Sequence, residues 1–498
     1  MAPSEPLYLG IDVGTSGVKV LFLTASGDVE RSGSAPLALA TPQPGWAEQD
    51  PDAWWEGTLT AVADALRGHT PLAARVASIG ISGQMHSSVF LDGSGSVIRP
   101  ALLWCDARTA AECREITQRV GGEHALRAWV RNAAFEGFTL PKVLWLRNHE
   151  PQAFRRLAKV LLAKDYVRYR LTGEMATEPS DASGTLMFDP ARLQWSEPLL
   201  HAVDLSASLL PVVGESSDVL GRLTNEAAKL TGLRAGTPVV GGGADNACGA
   251  AGVGVIAPNE AVASWGTSGT VLAPTAEPLV DPGLRAHTFC HVLPRTWYVI
   301  GVVLSAGGAF AWFMDQMARE LSREDRIERL NNEAESVAPG ADGVTFLPYL
   351  QGDRTPHRDA DARAAFLGLS LAHSRAHMTR AVLEGVCFAL RDSLAILQEL
   401  GLRPTSLLLT GGGARSAFLR KLQAEIFGVP VCSVNREEGP AYGAALLGAI
   451  GVGAFADLGA ATRATLHRGV LERPDPSAHA EYQRHYDRYR SAFSAAHP

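Results

Sequence analysis

The sequence predicts an α/β fold built in two halves. Its 498 residues exceed what one hydrophobic core usually holds, so at least two domains are expected. Short β-branched runs alternate with longer helical patterns along the chain, which is typical of α/β proteins. The tetrapeptide Gly-Thr-Ser-Gly occurs at 14–17 and again at 266–269, each time after an apolar strand pattern. Unless these are two unrelated hairpins, they indicate two similar halves, with domains at 1–246 and 247–498.

Individual elements follow from local patterns. Strand-like runs that end in small residues lie at 76–85, 237–243, 260–269 and 406–414. Helical periodicity covers 51–67, 376–400 and 415–427. The uncharged segment 296–314 is long enough to cross a bilayer, but "SAGGA" interrupts it, so a buried strand, a turn and a helix fit it better.

Composition limits the class of protein. Hydrophobic residues make up 46% and charged residues 19%, which indicates a compact globular chain. The net charge is −7 and no basic block stands out, so neither a nucleic acid nor an anionic membrane is an expected partner. The six cysteines lie far apart without a CxxC pair, and the start "MAPSEPLYLG" lacks the pattern of an export signal. A cytoplasmic location is therefore expected.

The run "YLGIDVGTSGVKVLF" at 8–22 places one carboxylate, Asp12, inside an apolar strand pattern. A buried carboxylate is costly without a cation or another partner. The glycines of the following turn allow backbone N–H groups to approach an anion, and Thr15 and Ser16 add hydroxyl donors. The pattern favours a polyphosphate site with Mg²⁺ near Asp12, although a tight hairpin with an ordinary turn Asp would look similar.

A second carboxylate follows the three glycines of "VVGGGADNACGAAG" at 239–252. Asp245 and Asn246 open a predicted helix there, so a helix cap is one interpretation. The glycines also leave room for a substrate, and an Asp with an ordinary pKa of about 4 can accept a proton late in phosphoryl transfer. The local sequence leaves both interpretations open.

Two further strand ends carry candidate contacts for a polyol. "SGQMHSS" at 82–88 offers Met85 for packing against a carbon chain and His86 for a hydroxyl, unless both are ordinary core residues. "LWCDAR" at 103–108 offers Trp104 and Asp106, either as an edge that contacts a sugar or as part of a surface ion pair with an arginine.

Other phosphate-binding and cofactor motifs are absent or incomplete. The chain contains no Gly-Lys dipeptide, which excludes a Walker A loop. His-Arg-Asp at 357–359 lacks the later residues of a protein-kinase catalytic loop, and "GVGVIA" at 252–257 lacks a clear preceding strand for a dinucleotide fold. "LTGGGARSAFLRKL" at 409–422 predicts a strand, a glycine turn and a helix that suit a nucleoside, or a plain connection.

Together these segments resemble the FGGY family of carbohydrate kinases from Gly10 to about Gly453. The resemblance rests on the motifs above and on "GFTLPKVLWLRNHEP" (137–151), "LAKDYVRYRLTGE" (162–174) and "FLGLSLAHSRAHMTRAVLEGVCFALRD" (366–392). Within the family the chain is most similar to the kinases of D-xylulose, on "PGWAEQDPDAWW" (44–55), "GQMH" (83–86), "FLPYLQGDRTPH" (346–357) and "EGPAYGAAL" (438–446).

The resemblance implies two ribonuclease-H-like domains of the actin, hexokinase and chaperone-ATPase type, with a central cleft between them. It implies transfer of phosphate from ATP to O5 of D-xylulose, with Asp245 as general base and Mg²⁺ at Asp12 and Asp245. The sugar contacts it implies are Met85, His86 and Asn246, beside Trp104 and Asp106. The nucleotide contacts it implies are Thr15, Ser16, Gly266, Thr267, Gly307, Gly308, Gly412, Gly413 and Ser416.

This sequence departs from the family pattern at two positions. Cys105 stands where the family often has an asparagine, and Ala163 replaces a proline. The alternative acceptors are ribulose, gluconate, glycerol and fuculose, and the alternative classes are an actin- or chaperone-like ATPase and, less favoured, a Rossmann oxidoreductase. Paired subunits are common among the relatives, so a homodimer is an open expectation.

Overall fold

The computed structural model of the chain describes residues 5–322 and 325–497 and contains two seven-stranded mixed sheets. The strands of the first sheet are β1 (Leu7–Val13), β2 (Gly17–Leu23), β3 (Val29–Pro36), β4 (Val76–Gly83), β5 (Val219–Arg222), β6 (Pro238–Val240) and β7 (Gly243–Ala244). The strands of the second sheet are β8 (Glu260–Trp265), β9 (Gly269–Thr275), β10 (His287–Cys290), β11 (Trp297–Val303), β12 (Ser406–Gly411), β13 (Val431–Val434) and β14 (Arg468–Glu472).

Helices cover the sheets and fill the connections between strands. In chain order they are α1 (Pro51–Leu66), α2 (Ala110–Arg119), α3 (Glu123–Val130), α4 (Thr139–His149), α5 (Pro151–Phe154), α6 (Ala163–Thr172), α7 (Pro179–Ser183), α8 (Glu197–Ala202), α9 (Asn225–Thr231), α10 (Asp245–Gly252), α11 (Gly307–Met317), α12 (Arg326–Glu335), α13 (Arg375–Glu399), α14 (Gly412–Arg415), α15 (Ala417–Phe427), α16 (Pro440–Gly451), α17 (Leu458–Thr465) and α18 (Pro476–Ala496). Two-residue and three-residue strands form further small ladders, such as Val89–Leu91 with Lys159–Leu161.

The two sheets share one topology at their centres. The first has the order β5-β6-β4-β1-β2-β3, with β7 also paired to β4, and the second has the order β10-β11-β9-β8-β12-β13-β14. In each, a central strand pairs antiparallel with the next strand in the chain and parallel with a later one. The repeated tetrapeptides 14–17 and 266–269 form the turns of the two equivalent hairpins. The prediction of two similar α/β halves is confirmed.

Most predicted elements are present with small shifts at their ends. Helices α1, α13 and α15 match the predicted helices, and β4, β6, β8 and β12 match the predicted strands. The segment 296–314 forms β11, a turn and most of α11, as predicted, and no helix within the described ranges is long and apolar enough to span a membrane. The predicted domain boundary at 246/247 lies inside α10.

Helix α16 joins the two halves because it packs against the first sheet although it belongs to the C-terminal half of the chain. A β-carbon on Gly10 would lie 1.9 Å from the carbonyl oxygen of Ala441, and one on Gly80 would lie 1.8 Å from that of Ala444. Only glycine permits this close approach of helix and strands. The same helix contacts α10, so the N-terminal ends of α10 and α16 both border the space between the sheets.

Candidate active site

Two carboxylates from different elements meet between the halves. Asp12 is the next-to-last residue of β1, where it is paired across the sheet with Lys19 of β2 and Ser82 of β4. Asp245 is the first residue of α10 and directly follows the short strand β7. Because β1 and β7 both run parallel to β4, their carboxyl ends lie at the same edge of the sheet and bring the two acids together.

Each carboxylate has a raised pKa. Burial and the negative charge of Asp245 raise the pKa of Asp12 to about 7, against the opposing effects of Lys19 and Ser82. Burial raises the pKa of Asp245 to about 6, although the hydrogen bonds from Asn246 lower it. Two acids that disfavour each other's ionisation are stabilised as anions when a cation binds between them.

The donor set at these acids fits Mg²⁺ better than a transition metal. Asp12 Oδ1 is buried and has no hydrogen-bond partner in the described chain. No cluster of three or more His, Cys, Asp or Glu side chains suited to a metal occurs within residues 5–322 and 325–497. Mg²⁺ is usually held by one or two carboxylates, water and substrate phosphates, which is what this pair of acids can offer.

The Asp245 side chain is turned toward the space between the halves and does not serve as the helix cap. The N-cap of α10 is Ala244, which has no side-chain capping bond. Asp245 Oδ1 accepts hydrogen bonds from the backbone N–H (2.7 Å) and from Nδ2 (3.1 Å) of Asn246, while Oδ2 has no hydrogen-bond partner among the residues that the structure describes. Asp245 lines a cavity of about 270 Å³ together with Ser264, Gly411 and Gly439. One carboxylate oxygen is thus available to a bound hydroxyl group.

Met85 and His86 lie beside Asp245 and Asn246. Asn246 Nδ2 is 3.6 Å from the Met85 sulfur, and the hydroxyl of Tyr298 is 3.8 Å from the same atom. His86 adopts a left-handed backbone conformation with φ of 67°, which is strained for a residue with a β-carbon. A β-carbon on Gly184 would come within 2.9 Å of both side chains. The structure therefore brings Asp245, Asn246, Met85 and His86 into one continuous surface.

His86 is held as a neutral imidazole of defined tautomer. Its pKa lies well below the ordinary value because the ring is buried and the positive charges of Lys142 and Arg354 are near. The Nδ1–H group donates to the carbonyl oxygen of Gly184, so the Nε2 lone pair is the remaining acceptor. The ring packs edge-on against Phe138 with 4.7 Å between centroids. His86 can therefore accept a hydrogen bond from a substrate hydroxyl.

The side chains of Trp104 and Asp106 are held by hydrogen bonds within the protein. The indole N–H of Trp104 donates to Thr15 Oγ1 at 2.9 Å. Asp106 is buried, and its two oxygens accept from the backbone N–H of Ala47 and from the guanidinium and backbone N–H of Arg108. The alternative interpretation was an ion pair of Asp106 with an arginine at the surface. Asp106 does pair with Arg108, but both side chains are buried. No oxygen of Asp106 is left without a protein donor.

The first Gly-Thr-Ser-Gly turn has one engaged and one exposed side chain. The hydroxyl of Thr15 donates to Gln84 Oε1 at 3.1 Å and accepts from Trp104. Ser16 is exposed at the tip of the turn. The turn closes with a hydrogen bond from Gly14 N–H to the carbonyl oxygen of Gly17. Its hydroxyl and backbone donors thus lie at the mouth of the space that contains Asp12.

The second turn makes backbone contacts with the start of α11. Gly307 N–H donates to the carbonyl oxygen of Gly266 at 2.8 Å, and Gly308 N–H donates to that of Thr267 at 2.9 Å. A β-carbon on Gly307 would lie 2.5 Å from the carbonyl oxygen of Gly266. Four of the predicted nucleotide contacts are therefore adjacent in the structure.

The third glycine segment packs behind the second turn. Gly412 and Gly413 begin α14, and a β-carbon on Gly413 would lie 2.8 Å from the Trp265 ring. Ser416 caps α15 by accepting from the backbone N–H of Leu419. The three segments that carry the predicted nucleotide contacts of the C-terminal half all meet at the end of β8.

Three features of this space were not predicted as functional. Lys19 bridges the halves through its ammonium group, which is 2.7 Å from Glu438 Oε2. Glu437 accepts a hydrogen bond from the backbone N–H of Gly411, and Gly439 is the N-cap of α16 beside the cavity. The proline after Gly439 is a recognisable helix-start signal, but nothing local shows that this helix would point at Asp245.

The chain matches models of one protein family over most of its length. The N-terminal domain of the FGGY family of carbohydrate kinases matches residues 7–252, and the C-terminal domain of the same family matches residues 261–452. The xylulose kinase of Escherichia coli (strain K12) is 42% identical over 89% of this chain and 90% of its own length.

Solved structures agree with the family match. The xylulose kinase of Rhodospirillum rubrum superposes with a TM-score of 0.91 at 31% identity, covering 99% of each chain. The gluconate kinase of Lactobacillus acidophilus superposes with a TM-score of 0.92 at 26% identity, covering 99% of this chain and 98% of that one. With two matched domains, a shared fold and two carboxylates in the cleft, the chain belongs to the FGGY family of carbohydrate kinases.

Proposed function

We propose that this enzyme transfers the γ-phosphoryl group of ATP to O5 of D-xylulose, with Asp245 as the general base. The observation that carries the proposal is Asp245 Oδ2, which has no hydrogen-bond partner within residues 5–322 and 325–497, on a residue that lines the cavity together with Asn246, whose Nδ2 is 3.6 Å from the Met85 sulfur. Identity of 42% to a xylulose kinase over most of both chains supports this substrate. The prediction that the chain is an FGGY kinase is confirmed. The identity of the acceptor, D-xylulose, is proposed in addition.

In the proposed reaction the O5 hydroxyl oxygen attacks the γ-phosphorus in line with the leaving ADP oxygen. A bond forms between O5 and phosphorus, the bond to the bridging oxygen of ADP breaks, and the O5 proton passes to Asp245 Oδ2. In a loose transition state this proton moves late, so the carboxylate mainly orients the hydroxyl. The hydrogen bonds from Asn246 hold the other oxygen and thus fix the plane of the carboxylate.

Asp12 and Asp245 would hold Mg²⁺, which supplies neutralisation of phosphate charge when bound. The unpartnered Asp12 Oδ1 and the mutual repulsion of the two acids support this assignment. Lys19 adds a second positive charge at the same edge, because its β2 position lies directly opposite Asp12.

The two halves would share the substrates. The triphosphate would lie along both turns, and the nucleoside would lie against the glycine segments of the C-terminal half. The proposed nucleotide contacts are Thr15, Ser16, Gly266, Thr267, Gly307, Gly308, Gly412, Gly413 and Ser416. Met85, His86 and Asn246 would contact the sugar, with Trp104 as a wall. Because both hydrogen-bonding oxygens of Asp106 are taken by the protein, we assign it the task of holding that wall.

An acceptor screen tests the function. ADP release is measured by a coupled assay with D-xylulose, D-ribulose, gluconate, glycerol and L-fuculose, each with and without Mg²⁺. We expect D-xylulose to give the highest kcat/KM, and removal of Mg²⁺ to abolish turnover. Preference for gluconate, whose kinase from Lactobacillus acidophilus shares this fold, would refute the substrate. ADP release that is independent of every acceptor would favour an actin- or chaperone-like ATPase.

Two further assignments complete the proposal. We place the enzyme in the cytoplasm, where ATP is supplied, and cell fractionation with an antibody would test this. We also propose a homodimer, and sedimentation velocity would distinguish a particle of twice the 52.8 kDa chain mass from a monomer.

A further inference from the structure

The segment "GDRTPH" at 352–357 takes no part in the mechanism above, yet its Arg354 lies beside Trp104 and Gly137 of the N-terminal half. Arg354 Nη2 is 3.0 Å from the position that a β-carbon on Gly137 would occupy, and the carbonyl oxygen of Trp104 is 2.6 Å from the same point. The guanidinium carbon lies 5.8 Å from the centre of the Phe135 ring. The C-terminal half of the chain thus delivers a cation to residues of the N-terminal half.

The guanidinium of Arg354 has no hydrogen bond or ion pair to any residue within 5–322 and 325–497. Its partly buried site lowers its pKa, even though the charge of Glu136 opposes that effect. Arg358 provides a contrast, because it lies over the same ring at 5.5 Å but is paired with Glu123 and with the carbonyl oxygen of Gly283. A guanidinium carries five N–H donors, and leaving them unpaired in a partly buried place is costly. Arg354 therefore has donors to offer to a bound molecule.

The neighbours of Arg354 are the proposed sugar contact His86 and two buried residues near it, Lys142 and His287. The charge of Arg354 lowers the pKa of His86, of Lys142 and of the buried His287. Lys142 in turn donates to the carbonyl oxygens of His86 (3.0 Å) and Gly137 (2.6 Å), which ties these segments together. His86 offers an acceptor at Nε2, whereas Arg354 offers only donors. A chain of alternating hydroxyl and carbonyl groups can satisfy both.

The position along the wall identifies the end of the sugar. Asp245 contacts Asn246, Asn246 contacts Met85, and His86 follows Met85 in the chain. Lys142 connects His86 to Gly137, and Arg354 Nη2 lies 3.0 Å from the position of a β-carbon on Gly137, so Arg354 lies beyond His86 along this series of contacts. An acceptor whose reactive hydroxyl is at Asp245 therefore has its other end toward Arg354.

We propose that Arg354 determines specificity for the acceptor by donating hydrogen bonds to the C2 carbonyl oxygen and the C1 hydroxyl oxygen of D-xylulose. The inference rests on the proposed function, since it assumes that O5 is the oxygen at Asp245. The segment is anchored for this task, because Thr355 Oγ1 donates to the carbonyl oxygen of Arg285 (2.7 Å) and accepts from the backbone N–H of Val302 (3.1 Å). Arg354 is thus presented from a fixed loop of the second half.

Steady-state kinetics of Arg354→Gln test the inference with three acceptors: D-xylulose, 1-deoxy-D-xylulose, which lacks O1, and xylitol, which lacks the carbonyl. Loss of a charge-assisted hydrogen bond is expected to raise the KM for D-xylulose about 10- to 100-fold, with the KM for ATP unchanged. The ratio of variant to wild-type kcat/KM should be closer to one for the two analogues, because each already lacks an oxygen that Arg354 would bind.

Arg358→Gln is the matched control, because it removes an equal charge over the Phe135 ring from an arginine that is already paired with Glu123. The acceptor kinetics of this variant should match those of the wild type. Arg354→Lys, which retains the charge, should recover part of the D-xylulose affinity and also covers the case in which Arg354→Gln does not fold. An equal loss of kcat/KM on all three acceptors, or no loss on D-xylulose, would overturn the inference. Failure of the proposed function is seen separately, as wild-type enzyme that does not phosphorylate D-xylulose.

Discussion

Replacing Asp245 by asparagine should remove phosphoryl transfer while leaving the fold intact. Asparagine has the same shape, and its Oδ1 can still accept the hydrogen bonds that Asn246 donates to Asp245. The second oxygen becomes an NH₂ group, which donates to the acceptor hydroxyl where the carboxylate would accept its proton. Loss of a positioned general base typically reduces the rate by about 10²- to 10⁴-fold, so we expect kcat to fall within that range.

The same substitution should stabilise the protein without ligands. The pKa of Asp245 is raised from 3.8 to about 6, so the folded state holds this proton more tightly than the unfolded state. Ionisation at pH 7.5 therefore opposes folding, by about 1–3 kcal/mol for a shift of this size. Asp245→Asn avoids that penalty, and it also relieves the repulsion that raises the pKa of Asp12. Reduced activity together with a higher Tm would separate a catalytic role from simple unfolding.

The assay is coupled ADP release with D-xylulose at pH 7.5, beside thermal unfolding in EDTA and measurement of the KM for ATP. The matched control is Asp204→Asn, which removes a carboxylate that is 77% exposed and is paired with Arg119 at the surface. This control should change neither kcat nor Tm measurably. Retention of kcat within about five-fold of wild type by Asp245→Asn would refute its role as the base. A lower Tm would refute the electrostatic reasoning.

Three further predictions concern the framework. Burial raises the pKa of Asp392 to about 7, so the unfolding free energy of the wild type should fall as the pH rises from 4 to 7. Asp392→Asn should therefore be more stable than the wild type by about 2–4 kcal/mol at pH 8 and by less at pH 5. Urea unfolding at the two pH values measures both differences. Asp106→Asn removes one of the two carboxylates paired with the buried Arg108, the other being Glu48 at 2.8 Å, and should lower stability by about 1–3 kcal/mol; a change in the KM for D-xylulose with unchanged Tm would instead favour direct sugar contact. Gly80→Ala places a β-carbon 1.8 Å from the carbonyl oxygen of Ala444, so α16 must shift. The Tm measured by differential scanning calorimetry should fall by several degrees. An unchanged Tm would contradict this packing.

The fold could be predicted from sequence because its signals are local. Strand periodicity, glycine turns and the repeat at 14–17 and 266–269 each depend on residues a few positions apart. The interruption "SAGGA" at 305–309 similarly predicted that 296–314 changes from strand to helix, and the structure has this change. Asp12 and Asp245 were also recognisable as candidates, because Asp12 interrupts an apolar strand pattern and Asp245 comes after the three glycines that end another.

The tertiary structure decided which of the candidate side chains remain free. Thr15 and Trp104 are 89 positions apart, and their hydrogen bond engages both side chains. Asp106 has no oxygen to spare because Ala47, 59 positions earlier, donates to it. Arg354 reaches Trp104 and Gly137 only because the two halves pack together. Local sequence determines where a strand ends and which group it presents, but the partners of that group come from distant segments, and they are selected by the packing of sheets and helices.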